Sequence, residues 1–246
     1  AMSNSSVTYQ PDFETFRRQC ADSNVAPVCR EFYGDSETPV NAYAKLRSAG
    51  PSFMLESVVG GESVGRYTFI GCRPRSEMRI YADHTLVRQR DGATERLENR
   101  KDPLEHLESY LASIRVPPGR DDAPFFTGGA VGYVAYEYIH AIEKTVPKPR
   151  EQFLDTPLAY FLVADTVVCV DHAQQKVVIS ANAFIDGDPR DAYEDACARI
   201  DDLVERMQAP VEISFAAIPS PPYPDADLSS NFSRQAYEDA VRKVKH

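Results

Sequence analysis

Between Met78 and Leu97 the sequence MRIYADHTLVRQRDGATERL alternates short sheet-forming runs with the turn pairs Asp83-His84 and Asp91-Gly92. Asp-Gly is the chemistry of a tight reversal, because the turn needs residues that tolerate positive φ. Strands joined so closely pair antiparallel, since a parallel crossover takes about a dozen residues or more. This run predicts a meander, with the sheet antiparallel here. NVAPVCREF and GGAVGYVAYEY read as further strands, and LAYFLVADTVVCVDH as one long strand that turns at HAQQ into KVVISANAF.

Helical spacing appears between these runs. Phe13, Phe16 and Cys20 share a face in a short helix from Pro11 to about Ala21. In ETPVNAYAKLRSAG, Thr38 is placed to cap, Pro39 suits the first helical position and Gly50 is placed to close the helix. KDPLEHLESYLASI carries Asp102 as cap, Glu105 at the capping-box position and a stripe of Leu104, Leu107, Leu111 and Ile114. A long helix starts at Asp188-Pro189 and shows Tyr193, Cys197, Ile200, Leu203, Val204 and Met207 at helical spacing, with a charged outer face. Five prolines between Pro210 and Pro224 then predict a stiff connector over residues 208–229. Beyond it SNFSRQAYEDAVRKVKH begins a new amphipathic helix, capped at Ser233, with no partner element after it. The expectation is therefore a domain over 1–207, a linker over 208–229 and the start of another domain over 230–246, in the front part of a longer polypeptide.

The net charge of −10 argues against a nucleic-acid or anionic-membrane surface, which would be served by Lys and Arg. Small molecules and proteins are the expected partners. Five scattered cysteines without CxxC spacing point to neither a disulfide framework nor a zinc site, and place the chain in a reducing cytoplasm. No apolar run is long enough to span a membrane. The histidines lack the spacing of a helical metal pair and read as surface or turn residues. FTGGAVGY lacks the Lys-Ser/Thr of a phosphate loop and runs into a strand, so its glycines read as places of close strand packing. No catalytic motif is visible.

One stretch resists a purely structural account. In FMLESVVGGESVGRYTFIG, Glu56 and Ser57 interrupt an apolar strand run. An unpaired charge in a sheet interior costs several kcal/mol, so it must be exposed, paired or given a ligand. Alternation puts Phe53, Leu55 and Ser57 on one face, and Met54, Glu56 and Val58 on the other. Two readings stand side by side. Either Glu56 faces water on an edge strand, or the pair receives the ammonium of a ligand whose apolar body rests on Phe53 and Leu55.

ETPVNAYAKLRSAGPSFMLESVVGGESVGRYTFIG, FTGGAVGYVAYEY, LVADTVVCVDHAQQKVVISANAF and SNFSRQAYEDAVRKVK resemble, in order, landmarks of the anthranilate synthase component I family. The resemblance implies an α+β fold, two mostly antiparallel β-sheets packed face to face with helices on the outside. It implies a regulatory N-terminal part and a C-terminal part that converts chorismate to anthranilate with Mg2+, using ammonia from a glutamine amidotransferase subunit, component II. It implies L-tryptophan as feedback inhibitor, with Leu55, Glu56 and Ser57 in the pocket segment and Arg66 near a basic position of it. The Mg2+ ligands, the chorismate contacts and a second pocket segment, Asn-Pro-Ser-Pro-Tyr, are absent from this chain, so it is expected to be inactive alone. Ala236 stands where the family often has Glu. The aminodeoxychorismate and isochorismate synthases share the architecture, and the match around GRYTFIG favours the anthranilate enzyme. The folate-pathway sibling and a stand-alone amino-acid-binding module remain as alternatives.

Overall fold

The computed structural model describes residues 8–35, 37–56, 65–118, 126–147, 156–211 and 230–245. In chain order the elements are α1 (Phe13–Gln19), β1 (Val25–Tyr33), α2 (Pro39–Leu46), β2 (Ser52–Glu56), β3 (Tyr67–Cys72), β4 (Ser76–Ile80), β5 (His84–Gln89), β6 (Thr94–Glu98) and α3 (Glu105–Ser113). They continue with β7 (Gly129–Val134), a 3-10 turn (Tyr136–Tyr138) running into α4 (Ile139–Ile142), β8 (Ala159–Ala164), β9 (Thr166–Asp171), β10 (Lys176–Phe184), α5 (Pro189–Gln208) and α6 (Arg234–Val244). The strands form two five-stranded sheets, sheet A in the order β1-β10-β9-β3-β2 and sheet B in the order β6-β5-β4-β8-β7. Every pairing among the described strands is antiparallel. The layout is α+β.

Among the described residues the chain passes from one sheet to the other twice. It leaves sheet A after Cys72 and enters sheet B at Ser76, then returns between Ala164 and Thr166 with only Asp165 in between. LAYFLVADTVVCVDH is therefore two strands in two sheets, a correction to its reading as one. Every residue from Leu162 to Asp171 is buried, so no change of alternation marks the break.

A strand that changes sheets leaves backbone groups outside either ladder, and these need other partners. Asp165 supplies the centre of that repair. Its carbonyl accepts from Asn182 N at 2.7 Å and from Arg199 Nη1 at 3.3 Å. Its carboxylate, 2% exposed, pairs with Arg90 and, at 3.2 Å, with Arg199. Arg199 also donates to Thr166 Oγ1 and to the Asn182 carbonyl.

One face of sheet A carries the main core. Val28, Ile70, Val168 and Ile179 meet Phe16 of α1, Leu46 of α2 and Ile200 and Leu203 of α5. Each such large side chain contributes about 1.5–3 kcal/mol by leaving water. Fully buried Ala26, Ala181, Ala183 and Ala196 let the helix and sheet backbones approach closely. Sheet B has a smaller cluster, in which Met78, Ile80, Val87 and Val163 pack with Leu107 of α3.

The caps follow the local chemistry. Asp12, Thr38, Asp188 and Ser233 each accept a first-turn N–H. Helix α2, however, stops before Gly50: Arg47 is already extended, and Arg206 reaches over from α5 to cap the Leu46 carbonyl. Asp102 accepts from Leu104 N, and Glu105 reaches back to the N–H groups of Arg100 and Lys101, but α3 buries only Leu107 fully, and Leu111 is exposed. The YEY of GGAVGYVAYEY leaves the strand for the 3-10 turn, where the Tyr138 hydroxyl donates to Asp102 at 2.7 Å. A side chain at Gly132 would collide with the Tyr160 carbonyl on the neighbouring strand, which explains that glycine.

The chain divides into two compact units, Ala1–Val211 and Glu212–His246. The connector expected over 208–229 overlaps the end of α5 at Gln208, and residues 212–229 lie outside the described residues. In the second unit α6 exposes Tyr237, Val241 and Val244.

Candidate functional site

Strand β2 forms an edge of sheet A and ends at Glu56. Its register against β3 sets Leu55 opposite Phe69 and Glu56 opposite Thr68. Partners directly opposite share a face, so the two residues point to opposite sides of the sheet. Glu56 lies on the side of the helix-packed core, at its exposed rim. Its neighbour Thr68 is fully buried, and the Thr68 hydroxyl meets His172 Nε2 at 2.9 Å. Leu55, 45% exposed, lies on the other side, where a second cluster of Cys29, Cys169 and Val178 packs with Tyr67 and Phe69. The Phe126 ring meets Phe69 edge-on, with centroids 5.6 Å apart.

Arg66 belongs to this second side. Its Nε and Nη2 donate to both oxygens of Asp171, the Nη2 contact at 2.7 Å, and the guanidinium carbon lies 4.8 Å from the centre of the Tyr67 ring. Asp171 ends β9 and also accepts from Ala173 N and Gln174 N at 3.0 Å, closing the turn into β10. Burial pushes the Asp171 carboxyl up, but Arg66 and the two turn N–H groups outweigh it and hold the group below the ordinary carboxylate range. The His172 N–H donates to the Arg66 carbonyl at 2.9 Å. Arg66 is thus fixed at both its backbone and its guanidinium, with Nη1 outside the pair.

The structure accordingly brings Leu55 and Arg66 to one side of sheet A and Glu56 to the other. Ser57 lies outside the described residues. Sequence reasoning missed Asp171, the partner that orients Arg66, and Thr68. The one signal was a carboxylate followed by a short polar turn in VDHAQQ. The thiol beside them is inert: burial, and then the Asp171 charge, push Cys169 up to about 12, leaving almost no thiolate at neutral pH. Among the described residues no group of three His, Cys, Asp or Glu could hold a metal. No described helix is long and apolar enough to cross a membrane.

Comparison with known proteins decides the family. The family described as chorismate binding enzyme matches residues 50–246. The chain belongs to the chorismate binding enzyme family. Anthranilate synthase component 1 of Pseudomonas aeruginosa is 36% identical over 245 residues, covering 94% of this chain and 47% of that protein. Anthranilate synthase component 1 of Synechocystis sp. is 37% identical over 212 residues, covering 85% of this chain and 41% of that protein. The crystal structure of anthranilate synthase component I from Streptococcus pneumoniae TIGR4 shares the fold, with a TM-score of 0.51 and 22% identity over 88% of this chain and 44% of that one. This chorismate binding enzyme chain spans less than half the length of the relatives it matches.

Proposed function

We propose that the chain is the N-terminal, tryptophan-sensing portion of an anthranilate synthase component I. The whole protein would convert chorismate and ammonia, released from glutamine by component II, to anthranilate and pyruvate. The observation that carries this reading is a match to relatives of that name running over nearly the whole chain yet less than half of each relative. In this reading the chorismate contacts and the Mg2+ ligands belong to the rest of the protein, and the chain alone is inactive.

The proposed effector site is the rim of sheet A at Leu55, Glu56 and Arg66, with Ser57, the next residue in sequence after Glu56, as its further member. Glu56 takes the ammonium, and the exposed Leu55 offers an apolar shelf beside Phe69 for the ring. Arg66 Nη1, which has no hydrogen bond among the described residues, is offered to the carboxylate. Such a ligand sets its α-carbon at the edge of the sheet, because the ammonium and carboxylate borne by that one carbon are met from opposite faces. The edge position of β2 supports this, since an interior strand would have no rim to lie across.

Two measurements test the reading. The 246-residue chain with chorismate, ammonia and Mg2+ is expected to give no anthranilate fluorescence, and appreciable product would overturn the division of labour. In the whole protein, Glu56→Ala or Ser57→Phe is expected to raise the half-inhibiting tryptophan concentration roughly tenfold or more, because a hydrogen bond to a charged group is worth about 1.5–3 kcal/mol. Unchanged inhibition in both variants would remove the site from this rim.

A further inference from the structure

Away from the rim, the two passages between the sheets run beside α5 and leave a cleft of about 260 Å³. Its lining includes Arg73, Arg90, Arg199, Thr166, Asp202 and Cys72. Three guanidiniums gather in one cleft of a chain whose net charge is −10, balanced there by Asp165, Asp195 and Asp202, so what the cleft offers an anion is whichever donors those carboxylates leave over. Each comes from a different part of the fold, Arg73 from the first passage, Arg90 from the end of the β5 hairpin and Arg199 from α5.

Their bonding shows which donors are spent. Arg199 is saturated by Asp165, Thr166, Asn182 and Asp195. Arg90 donates Nε to the carbonyls of Arg73 and Pro74, at 3.1 and 3.3 Å, and Nη2 to Asp165, so its Nη1 has no partner among the described residues. The same bonds clamp Arg73 in a left-handed conformation at φ 52°, unusual for a residue with a side chain. The Arg73 guanidinium pairs with Asp202 at 3.3 Å, its one ion-pair partner among the described residues, and Asp202 is shared with Arg206 at 3.7 Å. An incoming anion can therefore take Arg73 while Asp202 stays on Arg206, and no charge is stranded.

The geometry points to a binding site for a small oxyanion in this cleft, a carboxylate- or phosphate-bearing metabolite held by Arg73 and Arg90 with the Thr166 hydroxyl beside them. The planar guanidiniums suit the paired oxygens of either group. The site is separate from the proposed effector rim: it adjoins the Cys72 end of β3, whereas the rim adjoins the Tyr67 end. Its occupancy is independent of which reaction the whole protein performs.

The test is a titration of the 246-residue chain with inorganic phosphate and, separately, acetate, at constant ionic strength against a chloride reference. Amide and Arg Nε–H NMR signals report binding. Saturable shifts of Cys72, Arg73, Arg90 and Thr166 with either anion are expected, and the anion with the stronger effect identifies the preferred group. Arg73→Gln should weaken binding about tenfold, the loss of one charge-assisted contact. Arg79→Gln, on an exposed strand position of sheet B, should leave it unchanged. Shifts no larger than those from chloride, or equal affinity in Arg73→Gln with its spectrum otherwise intact, would overturn the site.

Discussion

Strand β9 is bounded by two buried carboxylates that do different work. Asp165, just before it, is 2% exposed and collects Arg90 from sheet B and Arg199 from α5. Asp171, at its far end, is 5% exposed and collects Arg66 and the N–H groups of its own turn. The first ties together elements distant in sequence. The second organises a single sheet end and, through Arg66, the rim where we place the effector. A buried charge is tolerated only when paired, so burial alone does not tell a structural pin from a positioning group. What distinguishes them is where the partners come from.

The sharpest way to break that comparison is to neutralise the pin. Asp165→Asn keeps shape but leaves two guanidiniums facing an amide. Breaking a buried pair costs about 3–5 kcal/mol, and the partial exposure of Arg90 and Arg199 sets the expected loss near the lower end, about 3 kcal/mol. Urea unfolding measures it. A loss below about 1 kcal/mol would show that the crossing is held by the backbone bonds to Asn182 instead.

Asp171→Asn should cost less, about 1–2 kcal/mol, because the Asn carbonyl can still accept from Ala173 and Gln174 and because Arg66 is partly solvated. Its pH dependence sharpens the contrast. The folded-state carboxyl titrates below its unfolded value of about 3.9, so its contribution is complete above that pH and is lost as pH falls through the folded value. The stability gap between wild type and Asp171→Asn should be constant near neutrality and close in acid, below about pH 3.9. Unfolding midpoints of both proteins across that range check this. A gap that persists undiminished in strong acid would mean that the carboxylate charge is not what holds Arg66.

How much of this was legible depends on the kind of signal. The caps at Thr38 and Asp188, the Asp91-Gly92 reversal and the hairpin through HAQQ are local chemistry, and each appears where it was read. The sheet change at Asp165 was not legible, because VAD-TVV is apolar on both sides and the partners Arg90 and Arg199 lie far away in sequence. The end of α2 was misplaced at Gly50 for the same reason: its terminating bond comes from Arg206 on another helix. At the rim, alternation correctly separated Leu55 from Glu56. It could not reveal that Arg66 would already be engaged by Asp171, which sits more than a hundred residues away.

The smallest expected effect concerns Glu56 itself, directly opposite Thr68 at the end of the edge strand. Its neighbours are tightly bonded, yet its own side chain is exposed at the rim and makes no hydrogen bond or ion pair among the described residues. Glu56→Ala should therefore change unfolding free energy by no more than about 0.5 kcal/mol, the range of surface substitutions, in the same urea experiment. A loss above about 1 kcal/mol would class Glu56 with Asp171 as a bonded part of the sheet end and weaken the case for a ligand. A neutral result combined with lost tryptophan inhibition in the whole protein would separate the two roles. Asp171 would then build the rim, and Glu56 would be held in reserve for what binds there.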